Sequence, residues 1–336
     1  MMSNNNHNSQ LIKKTLEAIY LGDMKQNIIE AELLTALSIH ENRLNLVIEF
    51  PEELVIDQAS VIDQINALLA SQFRDIRIIF SSKKTAKSPT KTQHSIPNVK
   101  KIILFAAAKG GVGKSTTATN VALALAQSGK SVGIVDADIY GPTIPKLLNI
   151  QQKPEIADGK MLPIHKHGIY SMSIGYLIDD NQAAIWRGPM ISKTLYQLLL
   201  GVKWPELDYL IVDMPPGTGD IYLSLAENFV IDGVVLLTTP QHIALNMLKK
   251  SLSFFSKTNI PIIGIVENMS YFFDADNNVT HHIFGDNLTE ETAHKMGTRL
   301  LGQIGLIPKI SKLSDQGITL VAEEEFKMYQ KIAKQL

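Results

Sequence analysis

The chain has 336 residues, 45% of them hydrophobic and 19% charged, with a formal net charge of −1 and no cysteine. That length gives one large or two medium domains with a sizeable core, and the near-neutral balance gives no overall pull toward nucleic acid or an anionic membrane. No apolar run reaches bilayer-spanning length, disulfides are excluded, and a cytoplasmic location is expected. Residues 1–10 form a polar, Asn-rich tail without the apolar stretch of a secretory signal.

Residues 11–80 read as a small α/β domain. Leu11–Tyr20 has helical spacing and Arg43–Phe50 alternates like a strand. Asp57–Phe73 carries apolar residues at helical intervals (Val61, Ile65, Leu68, Leu69, Phe73), with Asp57 placed to cap it. Ile76–Phe80 is a second strand candidate. Residues 81–100 are rich in Ser, Thr and Pro, with five lysines and no acid, and read as a flexible linker. A nucleic-acid-binding arm is the alternative there, but the stretch lacks the arginines and aromatics such arms use. From 101 to 336 strands alternate with helical segments. The strand candidates are Ile102–Ala107, Val132–Asp136, Tyr209–Asp213, Val234–Thr238, Ile262–Glu267 and Gly302–Ile307. This predicts an α/β fold, a mostly parallel, doubly wound sheet whose ligands sit at the carboxyl ends of the strands.

The first of those strands runs into Lys109-Gly110-Gly111-Val112-Gly113-Lys114-Ser115-Thr116, and a helical pattern, Thr117–Gln127, follows. Strand, glycine loop and helix together form a phosphate cradle. The glycines let successive N–H groups turn inward, and the helix N-terminus adds its positive dipole end. Gly110, Gly111, Val112, Gly113, Lys114, Ser115 and Thr116 are therefore the expected nucleotide-binding residues. Lys114 supplies a point charge for the phosphates and Ser115 a hydroxyl for Mg²⁺. The loop departs from the ordinary pattern: Ala108 stands where a glycine is usual, and an extra lysine, Lys109, sits beside it. A tight turn that binds no ligand is the bland alternative.

Two acidic stretches end the neighbouring strands: Asp136-Ala137-Asp138-Ile139-Tyr140-Gly141-Pro142 and Asp213-Met214-Pro215-Pro216-Gly217-Thr218-Gly219-Asp220. Asp213, ending the strand beside the loop, suits the Mg²⁺ hydration shell. The Gly217 N–H is expected near the γ-phosphate, and Asp138 is the candidate to orient the attacking water. Each aspartate alone also reads as a helix cap or turn former.

The loop with its extra lysine resembles the deviant P-loop of the ATPase group that includes MinD, ParA and the nitrogenase iron protein. Within that group the chain looks like the Mrp/ApbC family of iron–sulfur cluster carrier ATPases. The likeness rests on Asp136–Pro145, Trp186-Arg187-Gly188-Pro189-Met190, Asp208–Asp220, Thr238-Thr239-Pro240-Gln241 and Gly264-Ile265-Val266-Glu267-Asn268-Met269-Ser270. The resemblance implies a slow ATPase that works as a homodimer with two ATPs at a shared interface. It also implies that Lys109 reaches the partner's nucleotide, that Asn268 contacts adenine, and that clusters pass to apoprotein clients. A turn asparagine is the rival reading of Asn268, and a solvated lysine that of Lys109. The small N-terminal domain looks like a diverged form of the one that precedes this ATPase. No nucleic acid or membrane partner is expected.

The chain breaks the family pattern at one place. The family's Cys-x-x-Cys lies between Asn-Met-Ser and Ile-Phe-Gly, and the matching positions here hold Asp274 and Asn277. Clusters are held mainly by thiolates, and carboxylate or amide oxygens are hard ligands ill-matched to them. Asp274, Asp276, His281 and His282 could instead suit Zn²⁺ or Fe²⁺. A Ca²⁺ loop is disfavoured, because Val279 and Gly285 stand where its glycine and bidentate glutamate belong. A polar hairpin turn accounts for the same residues with no metal. A positioning ATPase of the MinD or ParA kind and a non-catalytic ATP-binding scaffold are the rival functions. The last helix, Val321–Leu336, bears on the first of these, since its Phe326, Tyr329, Ile332 and Leu336 beside lysines would suit either a membrane surface or the core.

Overall fold

The computed structural model describes residues 10–20, 26–31, 33–40, 43–51, 57–83, 93–178, 188–217, 219–258, 260–286 and 288–336. The chain divides into two compact units, Met1–Thr90 and Lys91–Leu336.

The first unit contains helix α1 (residues 10–16), strands β1 (Leu34–His40) and β2 (Arg43–Pro51), helix α2 (Gln58–Leu69) and strand β3 (Asp75–Lys83). β2 lies between an antiparallel β1 and a parallel β3. Its Leu44, Leu46, Ile48 and Phe50 alternate into the core, as the sequence period requires. The Asp57 carboxylate accepts from the Ala59 and Ser60 amides and caps α2, which buries Val61, Ile65 and Leu69. Two helix boundaries and one strand differ from the sequence reading. α1 stops at residue 16, because Ile19 turns back to accept from the Ile28 amide. α2 ends at Leu69, and Phe73 reaches the core from the turn beyond it. β1 carries a weak apolar pattern, because Thr35, Ala36 and Ser38 are exposed and Leu34, Leu37 and Ile39 only half-buried.

The second unit opens before its first strand. Residues 93–100, read as linker, are bound in place rather than free. The Gln93 side chain donates to the Ala226 carbonyl, His94 pairs with the 228–230 backbone, Ile96 is buried, and Lys100 meets Asp208. A single buried isoleucine among lysines and prolines leaves almost no compositional trace. The rest of the 81–100 stretch beyond β3, residues 84–92, lies outside the described residues, as do 1–9 of the polar tail.

β4 (Val99–Ala107), α3 (Lys114–Gln127), β5 (Val132–Asp136) and the short α4 (Ile144–Leu147) follow. Next come a small ribbon, β6 (Ile156–Ala157) with β7 (Lys160–Met161), and a hairpin, β8 (Ile164–Lys166) with β9 (Ile169–Ser173). α5 (Gly188–Leu200), β10 (Leu207–Asp213), α6 (Asp220–Asn228), β11 (Gly233–Thr238), α7 (His242–Phe255) and β12 (Ile262–Asn268) continue the alternation. The chain ends with a hairpin, β13 (Phe272–Asp274) and β14 (Val279–His281), then α8 (Leu288–Lys295), β15 (Leu300–Ile304), α9 (Pro308–Asp315) and α10 (Phe326–Ala333).

The main sheet runs β15-β12-β11-β4-β10-β5-β9-β8, parallel throughout except for the antiparallel edge strand β8. Every residue of β5 and β11 and the last six of β4 are buried. Successive strand side chains point to opposite faces, so both faces of the sheet are covered. The chain enters at β4 in the centre, moves out to β5 and returns through β10, which places a crevice above the carboxyl ends of these strands. β15 ends at Ile304 rather than Ile307: Gly305 lies against the Tyr271 ring, and the Leu306 amide leaves the sheet to bond Tyr271 O. α10 is shorter than the Val321–Leu336 helix the sequence suggested. Its Phe326, Tyr329 and Ile332 are buried, so its apolar face is core. Glu323 and Glu325, just before it, hold Lys309 of α9. Among the described residues no helix is long and apolar enough to cross a membrane.

Candidate functional site

The carboxyl ends of β4, β5, β10 and β12 converge on the 108–116 loop. Gly111 and Gly113 have φ of 80° and 77°, the left-handed region that glycine enters without cost. Gly113 caps α3, and no side chain satisfies the helix's first amides there. Those amides and the aligned peptide dipoles make the cradle for an anion.

Lys114 is buried and its Nζ lies 2.5 Å from Asp213 Oδ1 and 3.3 Å from Ser115 Oγ. Asp213 is wholly buried. Burial raises its carboxyl above the usual range, and the Lys114 ammonium opposes that. Asp136, beside it on β5, is pushed up to about 7 by burial and by the Asp213 charge. Its carboxylate accepts from the Asp138 and Ile144 amides and from Ser173 Oγ, which fixes the loop that carries Asp138. Asp138 itself is half-buried, and burial raises it too, against the pull of Lys114.

A cavity of 490 Å³ opens from this point, a volume suited to a nucleotide. Lys109, Gly110, Gly111, Gly113, Lys114, Ser115, Thr116, Asp138 and Asn268 all line it, although they come from three separate strand ends. Lys109 is exposed at its rim. Two expected residues are placed differently. The Val112 side chain is buried in the core and anchors the loop from below. The Gly217 amide donates to the Ala107 carbonyl at 2.8 Å instead of facing the cavity, because the Pro-Pro-Gly turn folds back over the end of β4. Asn268 does more than form a turn. Its Nδ2 donates to the Val112 carbonyl at 2.9 Å and lies where a Cβ on Gly113 would stand. Trp186, Arg187 and Thr218 lie outside the described residues.

The far side of the cavity was not read from the sequence. Thr143, Lys146 and Leu147 form one wall, and Met269, Leu306, Ile307, Ile310, Ser311 and Tyr329 another. Of these, Thr143 and Met269 fall within the quoted motif stretches, and Met269 adopts φ 55°. The loop end is charged, and this end mixes apolar side chains with Ser314, Asp315 and Lys146, which pairs with that aspartate.

Mg²⁺ can be tested against the residues present. Asp213 Oδ2 is buried with no hydrogen-bond partner among the described residues, and the Ser115 hydroxyl shares Lys114 with the same carboxylate. An unsatisfied hard oxygen beside a hydroxyl fits Mg²⁺, which keeps most of its water shell and takes one or two protein oxygens. An iron–sulfur cluster fails the same test. At the hairpin turn, Asp274 Oδ1 accepts from the Asp276 and Asn277 amides, and Oδ2 accepts from Asn277 Nδ2 at 2.7 Å. The Asn277 amide holds the Asp274 carboxyl below its usual range. Both positions are thus committed to each other, and neither offers sulfur. No group of three acidic or histidine side chains suited to a metal occurs among the described residues, so Asp274, Asp276, His281 and His282 do not converge.

A family described as ParA, NUBPL iron-transfer P-loop NTPase, matches residues 98–336. The iron–sulfur cluster carrier protein of Rickettsia felis is 41% identical over 322 residues, covering 94% of this chain and 95% of that one. The protein of the same description from Escherichia coli K12 is 49% identical over 250 residues, 73% of this chain and 67% of that one. Among solved structures, a nucleotide-binding protein from Archaeoglobus fulgidus in complex with ADP aligns with TM-score 0.61 and 33% identity, over 68% of this chain and 91% of that one. The cell division ATPase MinD of Pyrococcus furiosus, 20% identical with TM-score 0.51 over 70% of this chain and 97% of that one, shares the fold. The family match over residues 98–336 and a relative 41% identical across 94% of the chain show the family: this chain belongs to the iron–sulfur cluster carrier family of P-loop NTPases.

Proposed function

We propose that the protein binds and slowly hydrolyses ATP as a homodimer, and that its cluster cargo is lost, altered or held by a partner. The observation that carries the reading is the convergence of Lys114, Ser115 and Asp213 at the foot of a nucleotide-sized cavity, beside a cargo hairpin without thiolates. Gly110, Gly111, Gly113 and Thr116 cradle the phosphates with backbone amides, and Lys114 neutralises their charge. Ser115 and Asp213 would hold Mg²⁺, which supplies charge neutralisation at the β- and γ-phosphates when bound. Asp138, held at the cavity by the loop after β5, orients the attacking water. Lys109, exposed at the rim with no ion-pair partner among the described residues, extends to the partner's nucleotide as an arginine finger does. Asn268 holds the loop against the base side. The client is an apoprotein or assembly component that accepts or lends a cluster.

Turnover with Mg·ATP tests this. Asp138→Asn should retain ATP binding while turnover falls by about 100-fold or more. Lys109→Ala should bind ATP as wild type does and lose both turnover and the ATP-dependent dimer. Unchanged turnover in Asp138→Asn removes the assignment, and a dimer indifferent to Lys109 removes the shared-site geometry.

A further inference from the structure

Glu267, near the end of β12, is 1% exposed, and the side chains that hydrogen-bond its carboxyl among the described residues are all neutral. Three side chains from three other places serve it instead. Ser270 Oγ, on the loop after β12, donates to Oε1 at 2.5 Å, and Gln303 Nε2, on β15, donates to the same oxygen at 2.9 Å. Thr289 Oγ1, on α8, donates to Oε2. A buried carboxylate is costly unless such donors satisfy it, so the four groups form a closed unit that resists displacement of any one.

What this unit controls is the far end of the cavity. Residue 269, two positions beyond the glutamate, lines the cavity at φ 55°. The Ser270 amide donates to the Ile304 carbonyl and the Leu306 amide to Tyr271 O, so the 268–271 turn and the 304–306 turn are sewn together. Glu267 grips both turns through Ser270 and Gln303. We propose that Glu267 is a positioning residue that sets the base-side wall of the nucleotide cavity and leaves the phosphate cradle to Lys114 and Asp213. The proposal rests on the nucleotide-binding reading above and assigns the discrimination of a base-bearing ligand to a buried carboxylate that touches no ligand.

The test compares Mg·ATP with inorganic tripolyphosphate, which has the phosphates but no base, by calorimetric titration of wild type, Glu267→Ala, Glu267→Gln and Thr289→Val. Glu267→Ala should weaken ATP by about tenfold or more, as expected for deserting a set of buried charged hydrogen bonds, and leave tripolyphosphate within about twofold. Glu267→Gln should recover ATP affinity to within about threefold, because the Thr289 hydroxyl can rotate to accept from the new amide. In turnover assays the alanine variant should raise KM and leave kcat nearly unchanged, since the groups at the γ-phosphate are not moved. ATP and tripolyphosphate weakened alike, or ATP binding unaltered, would overturn the proposal. If Glu267→Ala does not fold, Thr289→Val decides: a loss for ATP alone supports it, and no loss or a parallel loss refutes it. A wild type that binds neither ligand overturns the nucleotide reading itself, and is distinguishable on that ground.

Discussion

Replacing Lys114 by Met keeps the apolar stem and deletes the ammonium 2.5 Å from Asp213 Oδ1. Asp213 is wholly buried, and burial already raises its pKa against the pull of that ammonium. Without the lysine the carboxyl rises further and the folded protein holds it protonated. The cost is then set by protonating an acid that the unfolded chain ionises near 3.9. At about 1.4 kcal/mol per pH unit the ceiling is about 4 kcal/mol at pH 7 and about 1.5 kcal/mol at pH 5. The sign follows from proton counting. At Asp213 the folded Lys114→Met holds a proton that its unfolded chain loses above about pH 3.9, so this site's contribution makes the variant's stability fall as pH rises. Urea unfolding of wild type and variant at pH 5, 6 and 7 measures this. Both tryptophans, Trp186 and Trp204, belong to the Lys91–Leu336 unit, so their fluorescence reports it alone. The deficit of Lys114→Met should grow with pH, and Lys114→Met/Asp213→Asn should remove the growth. A deficit equal at pH 5 and 7, or larger at pH 5, refutes the claim that Lys114 compensates a buried carboxylate.

Other outcomes follow from the same geometry. Gly113→Ala sets a Cβ 2.1 Å from Asn268 Nδ2 at φ 77°, and should cost more than about 1 kcal/mol in thermal or urea unfolding. Adding Asn268→Ala should restore only the steric part, and full restoration would show that the left-handed backbone is unstrained. Asp136, pushed up to about 7 by burial, is protonated in the fold and ionised when unfolded between about pH 4 and 7. Wild-type stability should therefore decline with rising pH across that window, and a rise there would contradict the assignment. Anaerobic reconstitution with iron and sulfide should leave the wild type colourless, whereas Asp274→Cys/Asn277→Cys places two thiolates at the hairpin turn and should bind a cluster. Colour in the wild type would mean that ligands other than thiolates hold one.

The nucleotide half of the site was legible because its signals are local. Gly111 and Gly113 need their conformations within one turn, Lys114 and Ser115 follow in the same eight residues, and the buried strand Ile102–Ala107 reads as a continuous apolar run. Asp57 announced α2 for the same reason: a cap lies within three residues of what it caps. Asp274 and Asn277 also interact at short range, so their hairpin could be anticipated from composition.

What the sequence could not supply were pairings set by the sheet. Asn268 and Val112 are 156 residues apart, and only the β12-β11-β4 order brings the amide onto the loop. Gly217 looked like a phosphate ligand because glycine amides often are. Its turn is instead closed by the Ala107 carbonyl, a partner chosen by the parallel pairing of β10 with β4. The far end of the cavity draws on residues 143–147 and 305–315, which carry no phosphate-binding pattern. Glu267 likewise reads as one polar residue in a strand until β15 and α8 surround it.

The chain by itself thus determined the fold class, the phosphate loop and the loss of the thiolate pair, since each depends on covalent identity or on contacts within a turn or two. The tertiary structure decided which loop amides are tied to other strands, which carboxylates are buried and paired, and which residues wall the cavity. Those depend on strand order and helix packing, which join residues more than a hundred positions apart and leave no local periodicity to read.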